Sequence, residues 1–438
     1  SSRDLDAENG TADSITIQLN ADGTPESEGG SGHWKCDDAT SFNLLLYDGT
    51  FTLKPSSEPG AESALQTELD IREGAEFNSG TVGDYTYNNG TISGGIFQGT
   101  VENRTSYTGE ESIPGVICGG TFQGEVHNWG TISDGTFQGA VHNSGTISDG
   151  TFQEKVHNND GTISDGTFQE KVHNNDGTIS GGTFQEEVYN NNDGTISDGT
   201  FQGEVHNRGT ISNGTFQSEA YNWGTISDGI FQQPVDNHGT ISGGTFQKPV
   251  NNYKTISGGT FKEGVGVNAS SGTEATIEGG TFEGIITLMN RDASITIKDG
   301  LFDGEVVAGP CDSLVSITGG LFTNAVAVSS ITPNNLSITG GYFVDKPALP
   351  QGSDTRFTTV SNQNGGNFQV PVNDGFSENN YTSLFVPSGS SEQPNTITVK
   401  TDAALIDCRA ANADADVSIM SSVVSKGGNT YEIPVRGY

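Results

Sequence analysis

GTISDGTFQEKVHNND, residues 145–160, is followed without a gap by the same sixteen residues at 161–176. Looser copies run outward from this pair in both directions. The aromatic of each GTF-like triplet sets their register: Phe97, Phe122, Phe137, Phe152, Phe168, Phe184, Phe201, Phe216, Phe231, Phe246, Phe261, Phe282, Phe302, Phe322 and Phe343. Successive aromatics lie mostly 15 to 17 residues apart, then 20 to 21. An outlying LYDGTF, ending at Phe51, points to a first rung near the N-terminus. Within one copy the apolar positions are Ile132, Phe137 and Val141, and Ile147 opens the next, so the steps are five, four and six. Neither the 3.6-residue period of a helix nor the two-residue period of one continuous strand fits them. Three short strands joined by corners do fit, each turning one apolar residue inward between polar outward neighbours. The second residue of the corner between the Ile and Phe strands is glycine in all fifteen copies, usually after Asp or another Gly. A corner at positive φ accounts for that.

Two residues beyond the Val position stand Asn128, Asn143, Asn158, Asn174, Asn190, Asn207, Asn222, Asn237 and Asn252. Strand alternation turns them inward, where a polar group must be hydrogen-bonded. A carboxamide both donates and accepts, so the column reads as an asparagine ladder running from rung to rung. One rung buries too few apolar side chains to fold alone, and only stacking covers the open ends of its core. The fold expected is all-β: a single-stranded parallel β-helix, or β-solenoid, right-handed as such helices usually coil. It has about 15 residues per rung in the centre and 20–21 toward the C-terminus. Residues 1–90 read as an N-terminal cap with divergent first rungs, 91–347 as the solenoid, and 348–438 as a C-terminal β-rich cap or small β domain.

Composition agrees with a thin core. Only 31% of the 438 residues are hydrophobic and 62 are glycine, too lean a mixture for a compact globule of ordinary density. With 55 acidic against 19 basic side chains the net charge is -36, which repels phosphate backbones and anionic lipid. Nucleic acid is therefore not an expected partner, and no apolar run is long enough for membrane insertion as a helix. The chain opens on polar residues, as a mature or trimmed secreted protein would. Cys36, Cys118, Cys311 and Cys408 are far apart, without the paired spacing of a zinc site. Two long-range disulfides suit them, Cys36 with Cys118 and Cys311 with Cys408, in an extracellular compartment.

The ISGGTF and ISDGTF units, closing on SITGGYFVDKP at 337–347, resemble repeat regions of large secreted surface proteins of gut Gram-positive bacteria. The resemblance covers residues 90 to 347, well over half the chain. It implies a parallel β-helix of the pectin-lyase-like type and an adhesin-like role at the cell surface. Host or dietary glycans, or a surface protein, would be the partners of a monomeric module without a cofactor. The same fold type includes polysaccharide lyases and glycoside hydrolases, and a passive stalk or spacer is the third alternative.

Four groups of side chains bear on that choice. The corner carboxylates Asp134, Asp149, Asp165, Asp198 and Asp228 could serve an enzyme, but Asp before Gly is the ordinary turn residue, and Arg104, Arg208 and Arg291 are the only arginines from 97 to 343. No catalytic residue is assigned. Outward threonine columns such as Thr131, Thr146, Thr162 and Thr178 suit exposed strand positions without invoking an ice-binding face. His127, His142, His157, His173 and His206 point outward at rung spacing, which a transition metal could exploit, although duplication alone explains them and no metal site is assigned. The corner three residues before each Ile differs, because near-identical repeats vary there. Arg208, Trp223, His238 and Tyr253 follow one another at that corner, with Tyr221 two residues from Trp223. Aromatics beside an Arg are equipped to stack flat faces on sugar rings or to anchor a protein, and these five are the candidate ligand-binding residues.

Overall fold

The protein is described by a computed structural model covering residues 14–25, 34–37, 43–108, 111–268, 272–289, 293–309, 314–361, 369–373, 375–388, 395–400, 417–419, 424–427 and 430–437. Among these residues there is no α-helix, and one 3-10 turn at Pro333–Asn335 interrupts an all-β chain. The chain forms a parallel β-solenoid of about 15 turns, with roughly 15–16 residues per rung. It divides into two compact units, Ser1–Gly209 and Thr210–Tyr438.

In the first unit the quoted repeat folds as read: three short strands, Thr146–Ile147, Thr151–Phe152 and Val156–Asn159, make one rung. Each pairs in parallel with its copy, so that Ile147 meets Ile163, Phe152 meets Phe168 and Val156 meets Val172. Every side chain in these inward columns is buried. The phenylalanine rings stack face to face at 4.7 to 5.0 Å from Phe97 to Phe201, close to one strand spacing apart.

Parallel pairing reaches upstream through divergent rungs. Ser14–Gln18 pairs with Gly49–Lys54, which pairs with Ala75–Ser79, which in turn meets Thr91–Ile92. Phe51 thereby lies on Phe77, and Phe77 on Ile92. The outlying LYDGTF is a rung, but its aromatic stands in the isoleucine column, and Leu65 and Val82 fill the phenylalanine column below Phe97. A two-stranded hairpin, Thr105–Thr108 with Glu111–Pro114, is inserted at one corner and accounts for the 25-residue step from Phe97 to Phe122.

The second unit repeats the scheme from Phe216 to Phe343, its rings stacked at 4.5 to 4.9 Å. Toward its end the outward Thr of the GTF triplet becomes Leu301, Leu321 and Tyr342, in register one above the next. These cover a small core built with Val370, Val372, Leu384 and Val386 from the C-terminal segment. The strand Ser383–Pro387 runs antiparallel to Phe357–Ser361 and ends the stack at Phe343. Burial raises the Tyr342 phenol to about 12.

Candidate functional site

The candidate corner is placed by the ladder beneath it. In the first unit the inward amides bond in unbroken sequence, each Nδ2 donating to the next Oδ1 at 2.6 to 2.7 Å from Asn88 through Asn103 and Asn128 to Asn207. In the second unit Asn222 donates to Asn237 and Asn237 to Asn252, both at 2.7 Å. Each amide also donates to a turn carbonyl beside it, as Asn222 does to Gly224 at 3.2 Å and Asn237 to Gly239 at 3.3 Å. The ladder thus pins the turn, and the residue directly after each Asn is held outside at a repeating position. Asn88 and Asn103 belong to this ladder although the sequence reading began it at Asn128; the spacing of Thr86-Tyr87-Asn88 and Val101-Glu102-Asn103 carried the signal.

Trp223, His238 and Tyr253 occupy that outer position in the second unit. Their rings are nearly parallel, with centroids 5.7 Å apart for Trp223 and His238 and 4.3 Å for His238 and Tyr253. Tyr221 joins the Trp223 end at 6.3 Å and donates its hydroxyl to Glu219 at 2.8 Å. Burial, and then the neighbouring Asp236, raise the Tyr253 phenol. The expectation of flat faces offered to solvent is changed by this stacking: His238 is covered on one side by Trp223 and on the other by Tyr253. Ring edges, with their N–H and O–H groups, form the surface. Trp223 remains 45% exposed. Arg208 belongs to the first unit, so the second unit's cluster consists of Tyr221, Trp223, His238 and Tyr253.

The first unit carries a longer ring column on the outward side of its Val strands. His127, His142, His157, His173, Tyr189 and His206 stack at 4.8 to 5.1 Å, and Trp129 lies 5.9 Å from His127. Glu125 Oε1 lies 2.7 Å from His142 Nε2. Burial lowers the His157 pKa, helped by His142, His173 and Lys155, and likewise lowers that of His173, helped by Lys155 and Lys171. The Arg and aromatic pairing sought at the other corner is present below this column, where Arg104 sits 3.9 Å over the Tyr87 ring and bridges to Glu102 at 2.6 Å. Arg104 enters the sequence reading only as one of three arginines between 97 and 343, and Tyr87 does not enter it, because the inserted hairpin hides the repeat there. Among the described residues no group of three His, Cys, Asp or Glu side chains is arranged to hold a metal ion.

The corner aspartates act on their own turns. Oδ1 of Asp134, Asp149, Asp165, Asp198 and Asp228 accepts the N–H of the following glycine at 2.7 to 2.8 Å. Cys118 is exposed at the surface, and partial burial together with Glu76 and Asp134 raises its thiol pKa. The side chains of Cys36, Cys311 and Cys408 lie outside the described residues, and so do the pairings expected of them. Among the described residues no helix is long and apolar enough to cross a membrane. No family model, no curated protein and no solved structure matches the chain.

Proposed function

We propose that this chain is a secreted or cell-surface binding module of the adhesin-like kind, and that it works without chemistry of its own. The observation that carries the reading is the stacked column Tyr221, Trp223, His238 and Tyr253 on an otherwise repetitive surface. Duplication supplies the same residue at every rung, yet here neighbouring rungs bear different large rings in contact. Aromatic edges carry the positive end of the ring quadrupole, and the Trp, His and Tyr polar groups add hydrogen-bonding capacity. Such a ridge suits an oxygen-rich partner, either a glycan or a protein surface, lying along the stacking direction at one contact per rung. The resemblance to secreted surface-protein repeats favours the same reading. The corner aspartates support no enzyme, because their carboxylates are engaged with turn N–H groups.

The test is a screen of the full chain against arrays of glycans and of extracellular proteins. A binder whose signal is competed in solution is expected. A chain that captures nothing on either array is a passive spacer, and the proposal falls.

A further inference from the structure

Beyond that reading, and independent of the ring column, the corners between the Ile and Phe strands come in two conformations that the sequence sorts. Where the corner is Asp-Gly, the glycine φ lies between 123° and 136°, as at Gly135, Gly150, Gly166, Gly199, Gly229 and Gly300. Where it is Gly-Gly, the second glycine lies between 96° and 111°. The first glycine is then drawn so close to the preceding rung that a Cβ on Gly243 would stand 2.1 Å from the Ser227 carbonyl oxygen, and one on Gly258 2.2 Å from that of Ser242. In this conformation the first position has no room for a side chain, and so the corner has no carboxylate to cap the next N–H, whereas an Asp there requires the wider glycine φ of the Asp-Gly corners.

Three such corners follow one another in the second unit, at Gly243–Gly244, Gly258–Gly259 and Gly279–Gly280. They floor a groove of about 600 Å³ edged by Ser and Thr hydroxyls and by Asp228, Glu278 and Asp299. In the third, a side chain from 93 residues away supplies what the corner lacks. Asn373, held at φ 52° between Pro371–Val372 and Gly375–Phe376, accepts the Gly280 N–H on Oδ1 at 2.7 Å and donates Nδ2 to the Gly280 carbonyl at 2.9 Å. Its own N–H donates to Asp299 Oδ2 at 3.2 Å. A primary carboxamide, with donor and acceptor side by side, is the group that closes this two-point ring on one residue's backbone. The carbonyls of Gly244 and Gly259 are disposed like that of Gly280, each accepting one strand N–H at 2.8 Å and keeping a second lone pair. Among the described residues nothing accepts from the N–H of Gly244 or of Gly259.

We infer that the groove is a binding site for primary carboxamides, the Asn or Gln side chains of a partner polypeptide, with Gly244 and Gly259 as open slots and Asn373 occupying the third. The carboxylates at its edge select against an acidic ligand, and a carboxylate cannot donate to the glycine carbonyl. The probe is the peptide acetyl-Gly-Asn-Gly-Asn-Gly-amide, titrated into the full chain by calorimetry and ligand-observed NMR beside its counterpart with Asp in place of both Asn. The Asn peptide is expected to bind at least about tenfold more tightly, the order of one lost hydrogen bond.

Gly243→Asp with Gly258→Asp installs the self-capped corner already present at Asp228–Gly229. That variant is expected to fold and to lose binding, whereas Gly181→Asp, at an isolated Gly-Gly corner of the first unit, keeps it. Asn373→Ala opens the third slot and raises the number of peptides bound. Equal affinity for the two peptides, no binding of either, or unchanged binding by the folded double variant overturns the inference. Should the double variant fail to fold, the comparison of peptides on the unaltered chain decides. Changes at Trp223 and Tyr253 leave this binding untouched, which separates it from the ring column.

Discussion

At the scale of single residues, the turns depend on two kinds of residue, a buried Asn and a corner Gly, and they differ in what their replacement does. Asn174 is fully buried, accepts from Asn158 and donates to both Asn190 and the Gly177 carbonyl. Asn174→Leu leaves those neighbours unpaired in the core and is expected to cost about 2–5 kcal/mol. His173→Ala, on the outward neighbour, should cost under about 1 kcal/mol, as surface changes do. Equal melting temperatures for the two variants would remove the ladder from the account. Gly150 makes the complementary case. At φ 130° an added Cβ would also meet the Phe152 ring at 3.2 Å, so Gly150→Ala should lose about 1–3 kcal/mol, readable as a shift in denaturant midpoint. Both features were legible in the sequence, because the inward Asn recurs rung after rung as far as Asn252 and the left-handed Gly recurs at every corner from Gly95 to Gly341. The two corner conformations were not legible. Asp-Gly and Gly-Gly look interchangeable until the approach of the preceding carbonyl is seen.

At the scale of the element, the columns on the outward face respond to pH. His157 and His173 stack on each other, and their lowered pKa values mean that the folded chain resists protonation relative to the unfolded chain, whose histidines titrate near 6.5. The unfolded state therefore binds more protons, and stability is lost as pH falls below about 6.5. The groups around the pair act in both directions: His142, Lys155 and Lys171 oppose protonation, while Glu125 and Glu187 favour it. Melting temperature is expected to drop between pH 7 and pH 5.5, and Gln at both positions should flatten that slope. NMR titration that places both imidazoles at or above 6.5 would contradict it. The column itself was evident from duplication, but its ring stacking was not, since spacing gives the height of a side chain and not its rotamer. The apolar series Leu301, Leu321 and Tyr342 was an unread signal of the same kind. Three outward threonines replaced by large apolar groups announce a covered face, and the C-terminal segment covers it.

At the scale of the whole molecule, a net charge of -36 on a chain of 438 residues sets a long-range repulsion against every stacked rung. Raising salt from about 0.01 M to about 0.15 M shortens the screening length from about 30 Å to about 8 Å and should raise the melting temperature. A fall over that range would show that specific ion pairs outweigh the repulsion. The same charge argues for a neutral or basic partner, and the ring column offers it edges instead of faces. Sequence variation marked this corner correctly as the place where the repeats stop being alike, while the assignment of Arg208 to the first unit required the structure. The most direct measurement is the dissociation constant of an array-derived ligand for the unaltered chain and for Trp223→Ala with Tyr253→Ala. At least about a tenfold weakening, roughly 1.4 kcal/mol, with an unchanged circular-dichroism spectrum is the predicted result. A constant that stays within about twofold in the folded double variant would contradict the account.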